Sequence, residues 1–198
     1  MMDRRKLSTV TEWADFVEIC NTCTACDLAN YRTNAVVWRG SLSAPIAFIG
    51  EGPGENEDLA GIPFVGRSGR LLDACLDSVG ITADDYHILN MVKCRPPQNR
   101  KPTKGECASC RPLLDWQLNH LKPNVIVLLG ATAYNYFTGD KRPISTVRGE
   151  WTRVGSYLVM PTFHPAYVLR DPRQRDALIR DLLSVRAKLD EIRAQQPD

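Results

Sequence analysis

Cysteine spacing is the feature of this 198-residue chain with the clearest chemical potential. Cys20, Cys23 and Cys26 are spaced C-x2-C-x2-C, and Cys107 and Cys110 form another C-x2-C pair. Two such pairs are able to hold zinc tetrahedrally, and an iron–sulfur cluster also takes four thiolates. Core filling is the third interpretation. Spacing alone decides neither which metal is bound nor which four cysteines would bind it.

Three further residues have side chains suited to holding a flat heterocycle. Phe64 offers an aromatic face of the kind that stacks on an extruded base. The Asn90 amide presents an acceptor and a donor side by side, which complements the N3–H and O4 of uracil but not the reversed pattern of cytosine. His164 is a candidate proton donor. Taken singly, each has an ordinary alternative, namely a core aromatic, a strand-end cap and a structural histidine.

The run Gly50 to Gly54 contains G-x-G, yet it does not indicate a nucleotide cofactor. Glu55 stands where a dinucleotide fingerprint has its third glycine, and the neighbouring acids would repel a pyrophosphate. The phosphate-loop pattern G-x-x-x-x-G-K-[ST] is also missing from the sequence. A strand-to-helix turn is the simpler interpretation of these glycines.

Composition is that of an ordinary globular protein, with 43% hydrophobic and 24% charged residues. We expect one domain spanning residues 1–198. A net charge of +2 does not by itself predict a polyanion ligand, but a basic run precedes Glu106. An exposed, solvated loop is the common explanation of such a run. Its members are Lys93, Arg95, Arg100, Lys101 and Lys104.

No apolar stretch approaches the ~20 residues of a membrane span, and no apolar run follows the basic start as it would in a secretory signal. We therefore expect a cytoplasmic protein. In a reducing compartment cysteines serve metals, catalysis or the core more often than disulfides. Cys75 lies in an apolar helical pattern, and we expect it in the core.

Short apolar runs alternate with helical patterns along the chain. Strands are predicted at 45–50, 86–92, 124–130 and 157–162, and helices at 11–23, 66–80, 103–121, 131–137 and 176–194. Residues 27–44, 51–65, 93–103 and 139–156 are predicted to be irregular. Strands that are apolar throughout are typical of a parallel sheet covered on both faces. Because ligands bind at the carboxyl ends of such strands, the polar loops there should converge.

Taken together, the motifs resemble the family 4 uracil-DNA glycosylases, the iron–sulfur branch of that superfamily. The resemblance extends over residues 23–170 and depends on the order and spacing of several pieces. These are CTACDL (23–28), GEGPGENED (50–58), GIPFVGRSGRLLD (61–73), NMVKCRPPQNRKP (90–102), the cysteine at 110 and HPAYVLR (164–170).

The resemblance implies a fold and a cofactor. The fold would be a three-layer α/β/α sandwich around a four-stranded parallel sheet. A [4Fe–4S] cluster would be held by Cys23, Cys26, Cys94 and Cys110. The cluster would be structural, tying the N-terminal segment to the basic loop, and the remaining cysteines near it would be bystanders.

The resemblance also implies a reaction, hydrolysis of the N-glycosidic bond of deoxyuridine in DNA. Glu51 and His164 would be catalytic, and Glu51 is the candidate acceptor for the attacking water because Gly52 stands where the best-known uracil glycosylases carry an Asp. Glu57 would crowd the 5-carbon and exclude thymine. The uracil pocket would be formed by Gly52, Pro53, Glu57, Phe64 and Asn90.

The implied partner is uracil-containing DNA, single- or double-stranded. Arg95, Arg100, Lys101 and Arg170 are the candidate phosphate contacts, which supply affinity without sequence information. We expect a monomer, and no feature of the sequence supports a sliding-clamp partner.

Rival hypotheses account for fewer of these features. A relative that binds uracil-DNA covalently uses a histidine in an inserted basic loop, and residues 93–104 contain none. The iron–sulfur family 5 enzymes lack the acid found here at Glu51. A non-catalytic DNA-binding module would leave Phe64, Asn90 and His164 unexplained, and a redox enzyme would need a second cofactor motif.

Overall fold

The computed structural model describes residues 4–195. Helices are α1 (Arg4–Thr9), α2 (Trp13–Asn21), α3 (Glu55–Ala60), α4 (Arg67–Ser78), α5 (Lys104–Leu121), α6 (Gly130–Thr138), α7 (Ile144–Val147), α8 (Pro165–Arg170) and α9 (Arg175–Ala194). Strands are β1 (Arg39–Gly40), β2 (Ile46–Gly50), β3 (Tyr86–Asn90), β4 (Val125–Leu129), β5 (Thr152–Val154) and β6 (Tyr157–Thr162).

One mixed sheet in the order β1-β3-β2-β4-β6-β5 forms the middle of the protein. The four central strands are parallel, and β1 and β5 pair antiparallel at the two edges. The chain leaves β2 for β3 on one side and later returns to place β4 on the other. That reversal is a topological switch point, where open parallel sheets bind ligands beyond the carboxyl ends of their strands.

Helices cover both faces of the sheet. On one face α2, α5 and α6 pack through side chains such as Phe16, Leu114 and Ala133. On the other, α4 and α9 pack through side chains such as Leu76 and Leu182. Strands β2, β3 and β4 are buried along their whole length because both of their faces lie against a helix layer. The three-layer α/β/α architecture expected from the sequence is confirmed.

Several details differ from the expectations. The sheet has six strands rather than four, because short antiparallel edges flank the parallel core. The stretches predicted to be irregular contain α3, α7, β1 and β5. Cys75 is fully buried, as expected. Within residues 4–195, no helix combines the length and the apolar character needed to cross a membrane.

Candidate functional site

A cavity of about 600 Å³ opens at the carboxyl ends of the four parallel strands. Glu51 follows β2, Asn90 ends β3, Gly130 follows β4 and His164 follows β6, and all four line this cavity. Phe64 reaches it from the loop between α3 and α4. The convergence predicted from the sequence is therefore present, and every predicted pocket residue lies on one wall or another. Those residues are Glu51, Gly52, Pro53, Glu57, Phe64, Asn90 and His164.

Asn90 carries a buried polar atom that has no hydrogen-bond partner within residues 4–195. Its side chain is 1% exposed, and its amide oxygen has no hydrogen-bond partner among the described residues. A buried acceptor left unpaired costs about 1–3 kcal/mol. Gly50 makes the arrangement fit, since a Cβ there would lie 2.5 Å from that oxygen and 2.7 Å from the Phe64 ring. Asn90, which lines the cavity, thus keeps a buried acceptor that is unpaired within residues 4–195.

Phe64 is held in a strained backbone conformation. Its φ of 56° lies in the left-handed region, which costs a residue with a side chain roughly 1–2 kcal/mol. Its carbonyl accepts a hydrogen bond of 2.8 Å from Arg39, which is itself paired with Asp73. Gly69 provides the space, because a Cβ there would lie 1.8 Å from the Phe64 carbonyl oxygen. Strain kept in place by such contacts points to a functional position for the ring.

His164 is fixed as a neutral donor. Its Nδ1 accepts a hydrogen bond of 3.0 Å from the backbone N–H of Ala166, so the proton of the neutral ring is on Nε2. Burial, and secondarily the charge of Arg170, lower the pKa of His164 to about 4. The Phe64 ring lies 5.6 Å away between centroids. Gly130 leaves room for this ring, since a Cβ there would lie 2.8 Å from the His164 Cβ.

The two acids of the first loop differ in how they are held. Glu57 is buried, and its carboxylate accepts hydrogen bonds from the backbone N–H groups of Gly54 at 3.1 Å and Gly66 at 2.7 Å. It therefore clamps the loop after β2 to the loop that carries Phe64. The Glu51 carboxylate has no hydrogen bond or ion pair to any of residues 4–195, and it is free to meet a ligand.

The predicted DNA-contacting residues are not equivalent in the structure. Arg95 lies 3.5 Å from Glu55 and donates to Asn99, and it is outside the cavity lining. Arg100 lines the cavity but is paired with Glu106 through both of its terminal nitrogens. Lys101 and Arg170 also line it and have no ion-pair partner within the described part of the chain. These two are the cations most available to a phosphate.

The basic run of the sequence is not one exposed surface. Lys93 is 1% exposed, and its ammonium group donates a 2.8 Å hydrogen bond to the Asn90 carbonyl. The common explanation of a charge run as a solvated loop is therefore wrong for this lysine. Burial lowers the pKa of Lys93, an effect opposed by the thiol groups of Cys110, Cys20 and Cys94.

A second, smaller cavity, which Lys93 also lines, is surrounded by cysteine side chains. The cysteines around it are Cys20, Cys23, Cys26, Cys94 and Cys110. Cys107 lies outside this cavity, as the resemblance implied, whereas Cys20 shares it. None of the described cysteines forms a disulfide, and among residues 4–195 no three His, Cys, Asp or Glu side chains surround a point where a single metal ion would sit.

The donor set of this cavity fits a thiolate-bound cluster. Four thiolates at four separate irons need to be spread around a cavity rather than converged on one point. Arg32 donates a 3.1 Å hydrogen bond to the Cys94 sulfur and another of 2.8 Å to the Cys23 carbonyl. Burial raises the pKa of Cys110 to about 12, so this sulfur is a neutral thiol until a metal displaces its proton.

Comparison with known proteins finds similar sequences that cover most of the chain. The family model described as the uracil DNA glycosylase superfamily matches residues 37–184. The Type-4 uracil-DNA glycosylase of Thermotoga maritima is 52% identical over 153 residues, which cover 75% of this chain and 79% of that protein. Those of Saccharolobus solfataricus and Archaeoglobus fulgidus are 40% and 41% identical, covering 84% and 86% of this chain and 82% and 90% of theirs.

The chain belongs to the uracil-DNA glycosylase superfamily. It is accordingly a DNA glycosylase, an enzyme that hydrolyses the N-glycosidic bond of uracil in DNA.

Other residues line the glycosylase cavity that sequence reasoning did not single out. Ser68 lies in the first turn of α4, Thr132 in the first turn of α6 and Tyr167 in α8. Gly130, the first residue of α6, could have pointed to Thr132, since a strand end followed by Gly and a helix start marks a ligand-facing turn. Ser68 follows a loop after α3 rather than a strand, so this signal does not apply to it. Nothing in the pattern around Tyr167 distinguishes it from its neighbours.

Proposed function

We propose that the enzyme binds uracil, swung out of the DNA stack, in the cavity between Phe64, Asn90 and His164. The observation that carries this proposal is the buried, unpaired amide oxygen of Asn90. The N3–H of uracil would satisfy it, while the amide nitrogen donates to O4. Phe64 supplies a stacking face next to it. Cytosine, with its donor and acceptor reversed, would leave the Asn90 oxygen facing another acceptor.

Bond cleavage needs stabilisation of a departing anion. As the N-glycosidic bond lengthens, its electron pair moves to uracil N1, and negative charge spreads onto the O2 and O4 atoms of the base. The Nε2–H of neutral His164 is the donor we assign to O2. The first turn of α6 also lines the cavity, and the positive end of a helix dipole favours an anion there. Donors fixed in advance are typically worth 10²–10³ in rate.

The deoxyribose gains positive charge at the same stage. The Glu51 carboxylate, free of any partner in the described structure, would lie on the sugar side of the base and offset that charge. It would also accept a proton from the attacking water as the water oxygen bonds to C1′. Glu57 is braced by two backbone amides, so it would act by positioning the loops and by its bulk beside the base.

Extrusion of the base costs a few kcal/mol, which contacts to the DNA backbone must offset. Lys101 and Arg170 are the first candidates because both line the cavity and neither is held in an ion pair within residues 4–195. Arg100 and Arg95 would reach phosphates only by loosening their pairs with Glu106 and Glu55. We propose that the enzyme acts as a monomer on single- or double-stranded DNA.

We propose further that the sulfur-lined cavity holds a [4Fe–4S] cluster through Cys23, Cys26, Cys94 and Cys110. When bound, the cluster would supply a covalent cross-link between residues distant in sequence. The residues around it favour that role. Arg32 donates a hydrogen bond to the Cys94 sulfur, and the buried Lys93 lines the same cavity and interacts electrostatically with its cysteines. Lys93 also donates to the Asn90 carbonyl.

Uracil release from an end-labelled oligonucleotide tests the function directly. The protein should cut out uracil opposite guanine and in single strands, and abasic sites should appear as alkali-labile breaks. Substrates with a thymine mismatch or hypoxanthine, assayed side by side, report on the crowding assigned to Glu57. A preparation that binds uracil-DNA without releasing uracil would overturn the proposed roles of Glu51 and His164.

A further inference from the structure

A third hollow, a cleft of about 550 Å³, adjoins the uracil cavity. Lys101, Pro102 and Thr132 line both, so the two hollows are direct neighbours. The cleft lies between the start of α5 and the far half of α6. The proposed chemistry of uracil release uses none of its other lining residues.

The charge of this cleft is of one sign. Lys101, Lys104 and Lys141 line it, all three are exposed, and none has an ion-pair partner within residues 4–195. Arg111 adds a fourth cation, although it is paired with Asp115. No acid is among the described lining residues, in contrast to the uracil cavity with its two glutamates. Unpaired lysines around a groove are the usual way to follow a phosphate backbone.

The floor of the cleft is apolar and carries one aromatic ring. Met91 and Cys107 are buried beneath it, and Tyr136 is half-buried at its side. The Tyr136 hydroxyl donates to the Pro102 carbonyl at 3.4 Å, which leaves the ring rather than the hydroxyl to meet a ligand. The combination of cations with an aromatic face is characteristic of sites that bind single-stranded nucleic acid, because bases stack on the ring while phosphates contact the cations.

We infer that this cleft binds the DNA strand that continues past the extruded deoxyuridine, in single-stranded form. Lys104 and Lys141 contact two of its phosphates, and Tyr136 stacks on a base next to the extruded nucleotide. The inference rests on the proposed function, since it needs uracil in the adjoining cavity. It goes beyond the proposed function by adding a second DNA-binding site. In that site the strand beside the extruded nucleotide is unstacked and does not return directly to the duplex.

The double substitution Lys104→Gln and Lys141→Gln tests the phosphate contacts. Both lysines are exposed, so folding should be unaffected, and circular dichroism checks this. For a single-stranded uracil oligonucleotide, the slope of log Kd against log salt should decrease in magnitude by ~1.4, since each contact contributes ~0.7. At 0.1 M salt that corresponds to binding weakened roughly 25-fold. Lys122→Gln, which removes an exposed lysine just before β4 and so at the opposite end of the sheet, should leave slope and affinity unchanged.

Tyr136→Leu and Tyr136→Phe test the stacking contact. Loss of the ring should weaken binding roughly 5- to 150-fold, the range for one base stacked on one aromatic side chain, whereas phenylalanine keeps the ring and should keep the affinity. Two oligonucleotides, one with uracil near its 5′ end and one with uracil near its 3′ end, show on which side of the uracil the strand enters the cleft. The lysine double variant should bind less tightly only to the oligonucleotide whose strand extends into the cleft.

The outcomes separate this inference from the function on which it rests. If the wild-type enzyme releases no uracil, the proposed function fails. If it releases uracil but the lysine double variant keeps the wild-type salt slope for both oligonucleotides, the inference is refuted. A change in sedimentation of the double variant with unchanged DNA binding would likewise refute it and assign the cleft to a second copy of the chain.

Discussion

Replacement of Asn90 by alanine should separate uracil recognition from folding. In the free protein the Asn90 amide oxygen is buried and unpaired within the described structure, so its removal relieves a cost of about 1–3 kcal/mol. That relief opposes the lost packing of a side chain that lines a cavity. We expect the free energy of unfolding to fall by at most about 1 kcal/mol.

The effect on excision should be far larger. Uracil in the Asn90→Ala cavity would keep N3–H and O4 desolvated with no partner, at about 1–3 kcal/mol for each group. The sum of about 2–6 kcal/mol corresponds to a decrease in kcat/KM of roughly 30-fold to 20,000-fold. Single-turnover excision with a labelled uracil oligonucleotide measures this ratio, and thermal unfolding of the same samples measures stability.

Two results would refute the reasoning. Excision at the wild-type rate would show that Asn90 does not contact the base. A loss of activity matched by a large loss of stability would show that the side chain acts on the fold. Non-specific DNA binding serves as the internal control, because phosphate contacts supply it and Asn90 has no part in them.

The remaining predictions concern the pocket, the cysteines and a buried histidine. Asn90→Asp should release cytosine weakly and more at low pH, because a protonated carboxyl group donates to cytosine N3; no cytosine release at any pH contradicts this. His164→Ala should lower kcat by ~10²–10³. Because the wild-type ring is neutral above a pKa of about 4, protonation of His164 should cause no change in the wild-type kcat between pH 5 and 8. A protonation step near neutrality that disappears in the variant would contradict the assignment. Cys94→Ser should lose bound iron and visible absorption while Cys107→Ser, outside the sulfur-lined cavity, keeps both; equal iron contents would refute the ligand set. Burial lowers the pKa of His87 from 6.5 to about 4, so on acidification the unfolded chain binds a proton at this residue before the folded chain does. The free energy of unfolding should therefore fall by roughly 2 kcal/mol from pH 7 to pH 4.5. The His87→Leu variant, unfolded at the same two pH values, should lack this decrease.

Hydrophobic pattern predicted the parallel core because burial on both faces requires apolar residues at every position of a strand. Strand β6 was placed at its observed limits, and the capping box that opens α5 is present, with Thr103 and Glu106 bonded reciprocally. The edge strands left no such mark. β1 is two residues long and β5 is largely exposed, so backbone pairing with a neighbour defines them rather than their own composition.

Helix α3 shows a second limit of pattern reasoning. Its sequence ENEDLA has no apolar periodicity, and from the sequence its acids are interpreted as charges that repel a pyrophosphate and, at Glu57, as bulk that crowds the base. In the structure Asp58 accepts hydrogen bonds from the backbone N–H groups of Thr33 and Asn34, and Glu57 clamps two loops. These acids act through backbone partners more than twenty residues away or across a turn, and that information is absent from any local window.

The buried Lys93 connects the sulfur-lined cavity to the uracil cavity. Asn90 and Cys94 are separated by a short connection after β3, and Lys93 within it donates to the Asn90 carbonyl while its own carbonyl accepts from Val36. Arg32 holds the Cys94 sulfur from the N-terminal segment. A cation buried this deeply needs compensating negative charge, and Cys94 and Cys110, which face Lys93, would supply it once a metal has displaced their protons. Binding of metal by those thiolates would therefore fix the lysine, and through the lysine the amide that selects the base.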